Sequence, residues 1–184
     1  MQVSDERLRQ ILLERSRLKK PPQSIDKTTG VGIARFIVSC KDVSKVLGLA
    51  KKVMIIVNDY STQKWPSLKE WSTFLPYQFV NGFVAEPTEK EKEKWNESWS
   101  ELSYGEKLAE ASNDNEWTLA SWLSWLEPDG REWFWWNAVL FDEPLNNSHF
   151  IIEVTTLDLY FMSGALKWLF KACGALNVIS EDEL

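Results

Sequence analysis

Glu153 stands inside an apolar run, His149-Phe150-Ile151-Ile152-Glu153-Val154-Thr155, where a carboxylate needs a reason to be. Strand alternation puts its side chain on one face with Ile151 and Thr155. On a buried face its carboxyl would be pushed toward neutrality and would require a partner, for which Arg131 and His149 are the natural candidates. With Glu132 they form a constellation able to do acid/base work, because a histidine beside a carboxylate can hold a proton near neutral pH. The competing structural reading lets Glu153 reach solvent on an open sheet face while His149 ends a loop.

Asn58 and Asp59 follow directly on Val53-Met54-Ile55-Ile56-Val57, which reads as a strand. The carboxyl end of such a strand is where open α/β sheets place ligand-binding groups, although Asn and Asp also start turns for local reasons. Trp133-Phe134-Trp135-Trp136 sends Trp133 and Trp135 to one strand face and Phe134 and Trp136 to the other. Indoles on an uncovered face could stack on a partner's rings or apolar patch, and aromatic side chains dominate many binding surfaces. Arg131, Trp133, Trp135, Trp65 and Asn58 are therefore the candidate binding residues; Glu153, His149 and Asp59 are the candidate catalytic ones.

Other chemistries lack their parts. Cys40 and Cys173 lie far apart in apolar surroundings, without zinc-site spacing and without a neighbouring histidine to activate either as a nucleophile. A single histidine excludes sites that need two. Thr29-Gly30-Val31-Gly32 precedes a strand, whereas a phosphate-binding glycine loop follows one, and no G-x-S-x-G elbow occurs. Neither a metal nor a cofactor is expected.

The elements that must position these residues are legible in the pattern. Residues 4–20 read as an amphipathic helix capped by Ser4, with Leu8, Ile11, Leu12 and Leu18 as its apolar stripe and Pro21-Pro22 as its stop. Val31 to Cys40 reads as a strand, a short helix follows near Asp42 to Lys51, and with residues 53–57 this predicts a minimal strand–helix–strand crossover. From Ser61 to Pro87 the pattern is irregular, with one helical turn near Leu68 to Trp71. Thr88 and Glu91 form a capping box ahead of a helix that carries Trp95, Trp99 and Leu102 on one face; Ser103 and Glu106 form a second box for a helix ending near Ala111. Residues 116–126 have helical spacing, Pro128-Asp129-Gly130 is a turn, and Arg131 to Phe141 reads as a central strand. The run from His149 to Thr155 pairs with it most simply antiparallel. Residues 157–173 predict a final helix, stopped at Gly174 in the left-handed conformation.

The 184 residues suit one α+β domain, residues 23–184, preceded by the helical segment 1–22: about four strands in a mixed or antiparallel sheet, packed with helices around a tryptophan-rich core. Eleven tryptophans set the chain apart from an otherwise ordinary composition. No apolar targeting segment follows the N-terminus, and the apolar stretch 157–173 carries Asp158, Lys167 and Lys171 and is too short to cross a bilayer. A cytoplasmic protein without a membrane partner is expected.

Charge is divided unevenly. Residues 1–60 hold 12 Lys/Arg against 6 Asp/Glu, and residues 61–184 hold 9 against 21, within a net charge of −6. This excess of acid disfavours nucleic acid and suits a basic partner attracted by its field. The leading reading is a small non-enzymatic module that binds another protein through an acidic and aromatic surface, as an inhibitor or adaptor would. The alternative is a small metal-independent hydrolase or isomerase using Glu153 with His149 or Asp59. The pattern leaves homo-oligomerisation open.

Overall fold

Ser4 opens the first helix in the computed structural model, which describes residues 4–28, 30, 32–103, 117–141, 148–158 and 161–183, apart from the side chains of Trp95, Asn96 and Trp99. Its hydroxyl accepts a hydrogen bond from the Arg7 amide, and helix α1 runs Asp5–Lys19. Gln10, Ile11, Glu14 and Leu18 face inward, whereas Leu8 and Leu12 of the expected stripe are exposed. Two polar residues occupy the inner face because each finds a buried partner, described below.

Strand β1 (Gly32–Cys40) leads into helix α2 (Val43–Tyr60), capped by Asp42, whose carboxylate accepts from the Lys45 amide at 2.9 Å. The expected strand 53–57 and its crossover are thus corrected: these residues are the second half of α2. Val46, Leu47, Ala50, Val53, Met54 and Val57 are buried at the 1-3-3-1-3 spacing of one helical face. That period, sustained over 18 residues, overrides the β-branched look of a five-residue run.

Helices α3 (Leu68–Phe74) and α4 (Tyr77–Val80) follow, then α5 (Glu89–Glu101), whose Thr88–Glu91 capping box forms as the spacing indicates. Glu106 and the helix expected to follow it lie outside the described residues. Helix α6 (Leu119–Ser124) falls within the helical stretch read from the sequence. Strands β2 (Trp133–Leu140) and β3 (His149–Thr156) pair antiparallel as expected. The last helix, α7 (Gly164–Ala172), begins seven residues later than expected, and Gly174 ends it at φ 98°. The chain then forms a strand that the sequence did not announce, β4 (Ala175–Ser180), and a 3-10 turn, Glu181–Glu183.

The four strands make one antiparallel sheet in the order β2-β3-β1-β4. This is an α+β arrangement, with seven helices among the described residues. One sheet face carries Phe36, Val38, Phe150, Ile152, Val154, Trp133, Trp135 and Val178, which join the inner faces of α2, α6 and α7 in a single apolar cluster. Trp71, Trp122, Trp133, Trp135 and Trp136 are all buried. Trp122 also donates from Nε1 to the Ala165 carbonyl at 2.9 Å, tying α6 to α7. Gly82 lies so close to α7 that a Cβ there would approach Ala172 Cα to 2.7 Å.

Candidate functional site

Alternation leaves the opposite sheet face to Ile33, Arg35, Ile37 and Ser39 of β1 and to His149, Ile151 and Glu153 of β3. Strand β2 contributes Asn137 and Val139 to it because its register shifts between Trp135 and Asn137. Before the shift the odd-numbered residues face the helices; after it they face away. The extra residue, Trp136, is covered by the Arg17 guanidinium, 4.6 Å from the ring centroid.

Register then lines up residues across the sheet. Val139 pairs with Ile151, Ile151 with Ile37, and Ile37 with Ile179, so four aliphatic side chains cross all four strands in one row. None of them belongs to the core cluster; Val139 is exposed and Ile37, Ile151 and Ile179 are half-buried, with Ile33 exposed on the same face. An antiparallel sheet can leave one face to water, but such a face is then usually polar.

Beside this row lies a polar one: Asn137 pairs with Glu153, and Glu153 with Arg35. Glu153 is only 8% exposed. Its Oε1 accepts from Arg35 Nε at 3.0 Å and its Oε2 from Asn137 Nδ2 at 3.1 Å. Arg35, half exposed, also reaches to 3.8 Å from Glu181 in the 3-10 turn. The partner of Glu153 is therefore Arg35, not Arg131 or His149. An arginine and a glutamate each interrupting an apolar strand are the signal for such a cross-strand pair.

The other candidates lie elsewhere. His149 shares the strand face with Glu153 but sits four residues away, about 13 Å along an extended strand. Its Nδ1 is 2.7 Å from Ser148 Oγ. Asp59 is on the last turn of α2, paired with Arg15 at 3.1 Å. Trp65 packs edge-on against Trp71, within an aromatic group that includes Tyr60 and Phe74.

Arg131, Asn58, Trp133 and Trp135 do meet, around a residue the sequence reading passed over. Glu14 and Arg131 form a fully buried ion pair in which both guanidinium amines reach the carboxylate. Arg131 Nε donates to the Trp133 carbonyl at 2.9 Å, and its guanidinium lies 4.9 Å from the centroids of both Trp133 and Phe134. Glu14 also accepts from Asn58 Nδ2 at 2.8 Å and from the Trp135 amide at 2.7 Å. Trp133 and Trp135 are 2% and 1% exposed, so their rings are core. The signal was the i, i+3, i+7 spacing of Ile11, Glu14 and Leu18 on α1.

This cluster fastens α1 over the outer edge of β2. The opposite edge, β4, is closed by its own side chains: the Val178 amide donates to Asn177 Oδ1 at 2.9 Å and the Ser180 amide to Glu183 Oε2 at 3.2 Å. Some of the groups that could pair with another chain's strand are thus occupied at each edge: the Trp133 carbonyl and Trp135 amide on β2, and the Val178 and Ser180 amides on β4.

Both thiols are buried, and burial raises their pKa values above the ordinary thiol range. Among the described residues no helix is long and apolar enough to cross a membrane. Comparison with known proteins finds no matching family model, no matching curated protein and no matching solved structure.

Proposed function

We propose that this chain is a non-enzymatic protein-binding module, of inhibitor or adaptor type, that receives a partner protein on the open face of its sheet. The observation that carries the reading is the aliphatic row Val139, Ile151, Ile37 and Ile179, which spans the sheet outside the core cluster. A contiguous apolar surface bordered by charge is what a docking site requires. With the Trp133–Trp135 stretch of β2 and two amides of β4 already engaged, recognition falls to the face and its side chains.

The border defines the partner. Glu181, Asp182 and Glu183 are exposed beside β4, and residues 61–184 as a whole are strongly acidic. A partner with a small apolar patch flanked by lysines or arginines fits this surface, and the acidic field would speed its approach. Glu153, already engaged by Arg35 and Asn137, then serves as a fixed polar mark within the patch. The hydrolase or isomerase reading would need Glu153 to share a site with His149 or Asp59, and neither lies beside it.

The test begins with a protein retained by the immobilised chain, identified and purified, and then titrated against defined variants. Ile37→Glu is expected to weaken its binding at least about tenfold, as charge is placed in a desolvated apolar contact, and added salt is expected to slow association. Leu12→Glu, on the exposed side of α1, is expected to leave affinity unchanged. Equal affinity for Ile37→Glu and the unmodified chain would remove the open face from the account.

A further inference from the structure

The first half of α2 has no packing reason to contain a glycine. Gly48 sits in the helix interior, where glycine weakens a helix relative to alanine, yet a Cβ built there would meet nothing within 4 Å. Two hollows flank it, one of about 690 Å³ and one of about 620 Å³, and both share Ser44 and Gly48 as lining. The larger is within the range of small-molecule sites.

Charge gathers at the same place. Lys41 and Lys51 line the larger hollow, and Lys45 and Lys52 the smaller. Among the described residues the acid lining the hollows is Asp42, which is occupied in capping α2. Four of the five arginines of the first 60 residues behave differently, since Arg9, Arg15, Arg17 and Arg35 each have a carboxylate partner, and Arg7 donates to the Arg131 carbonyl. Four of the seven lysines in residues 1–60 thus stand around one groove, in a protein of net charge −6. Apolar surface completes the larger hollow: Leu140 is 56% and Phe141 42% exposed along its wall, with Val43 and Leu47 beneath. His149 also lines it, its Nδ1 beside Ser148 Oγ.

The geometry points to a binding site for a small organic phosphate, its dianion held by Lys41 and Lys51 and its planar body laid over Gly48 against Leu140 and Phe141. Lysines are point-charge partners for phosphate, and two of them match a doubly charged group better than a single carboxylate. The exposed phenyl and isobutyl groups supply the contact that inorganic phosphate cannot use. A side chain at position 48 would stand in the groove, which accounts for the glycine. This site lies at the end of the sheet, shares only His149 with the docking face proposed above, and does not use its aliphatic row.

The test is calorimetric titration of the full chain at low ionic strength with 1-naphthyl phosphate, adenosine 5′-monophosphate, inorganic phosphate and 1-naphthol. At least one of the two ring-bearing phosphates is expected to bind saturably, with a dissociation constant below about 1 mM. Inorganic phosphate and 1-naphthol, each lacking one half of the recognised group, are expected to bind at least about tenfold more weakly. Gly48→Gln, which keeps a good helix former in α2, is expected to abolish binding without lowering the melting temperature, and Lys51→Ala to weaken it about tenfold. Gly48→Ala is expected to raise the melting temperature, showing that the glycine does not serve the fold. Two results would overturn the assignment: no saturable binding of either ring-bearing phosphate, or saturable binding that Gly48→Gln and Lys51→Ala leave intact.

Discussion

Removing one member of the Glu14–Arg131 pair is the most demanding test of how α1 is held. Both side chains are fully buried, so Glu14→Gln or Arg131→Met leaves the surviving charge with no route to water. Breaking a buried pair in this way costs about 3–5 kcal/mol. The upper half of that range applies here, because Glu14 is also the acceptor for the Trp135 amide and for Asn58, and Arg131 is a donor to the Trp133 carbonyl. With a urea dependence of about 2 kcal/mol per molar for a domain of this size, the midpoint should fall by roughly 2–2.5 M. The assay is equilibrium urea unfolding followed by tryptophan fluorescence, to which the eleven indoles, Trp133 and Trp135 among them, contribute. The double variant Glu14→Leu with Arg131→Met should lose less than the sum of the two singles, since no orphan charge remains. Single variants losing under about 1 kcal/mol, or losses that simply add, would refute the clasp.

Three further outcomes are expected. Opening the β4 edge with Asn177→Val and Glu183→Ala frees the amides of Val178 and Ser180, and should produce concentration-dependent association by light scattering, whereas a strictly monomeric double variant would show the caps to be incidental. Cys40 and Cys173, buried and with raised pKa values, should resist a disulfide reagent at pH 8 until the chain unfolds; rapid native reaction would contradict their placement. Hydrogen bonds from the Ser67 and Thr88 side chains, with those from the same residues' amides, lower the pKa of Glu70 and Glu91, so both caps should be intact above the ordinary glutamate value and be lost only as pH falls through the lower folded one. Carboxyl chemical shifts followed against pH should give two midpoints below 4.5.

Much of this architecture could be read from local pattern. Caps at Ser4 and Thr88, the helix at 119–124, the paired strands on either side of residue 145 and the stop at Gly174 all follow from residue chemistry within a few positions. Misreadings arose where a short window hid a longer one. Residues 53–57 look like a strand until the spacing from Val43 onward is included. Leu176-Asn177-Val178-Ile179 is too short a run to signal a strand by itself, although it forms the sheet edge. The site was less legible, because it depends on which strands become neighbours. Glu153 was visible as an anomaly, but Arg35 becomes its partner only through the antiparallel pairing of β1 with β3, and Asn137 only through the register shift in β2. Arg131 drew notice as a possible partner for Glu153; the residue it serves, Glu14, comes from the far end of the chain.

The docking claim is tested most directly by isoleucine δ1-methyl spectra recorded with and without a purified partner. Ile33, Ile37, Ile151 and Ile179 stand on the open face, while Ile11 and Ile152 are buried elsewhere and Ile25 is exposed away from the sheet. The account predicts that the first four methyl signals shift or broaden together on binding while Ile11, Ile25 and Ile152 hold their positions. Shifts confined to Ile25 or to the helical side, with Ile37 and Ile151 unmoved, would contradict it.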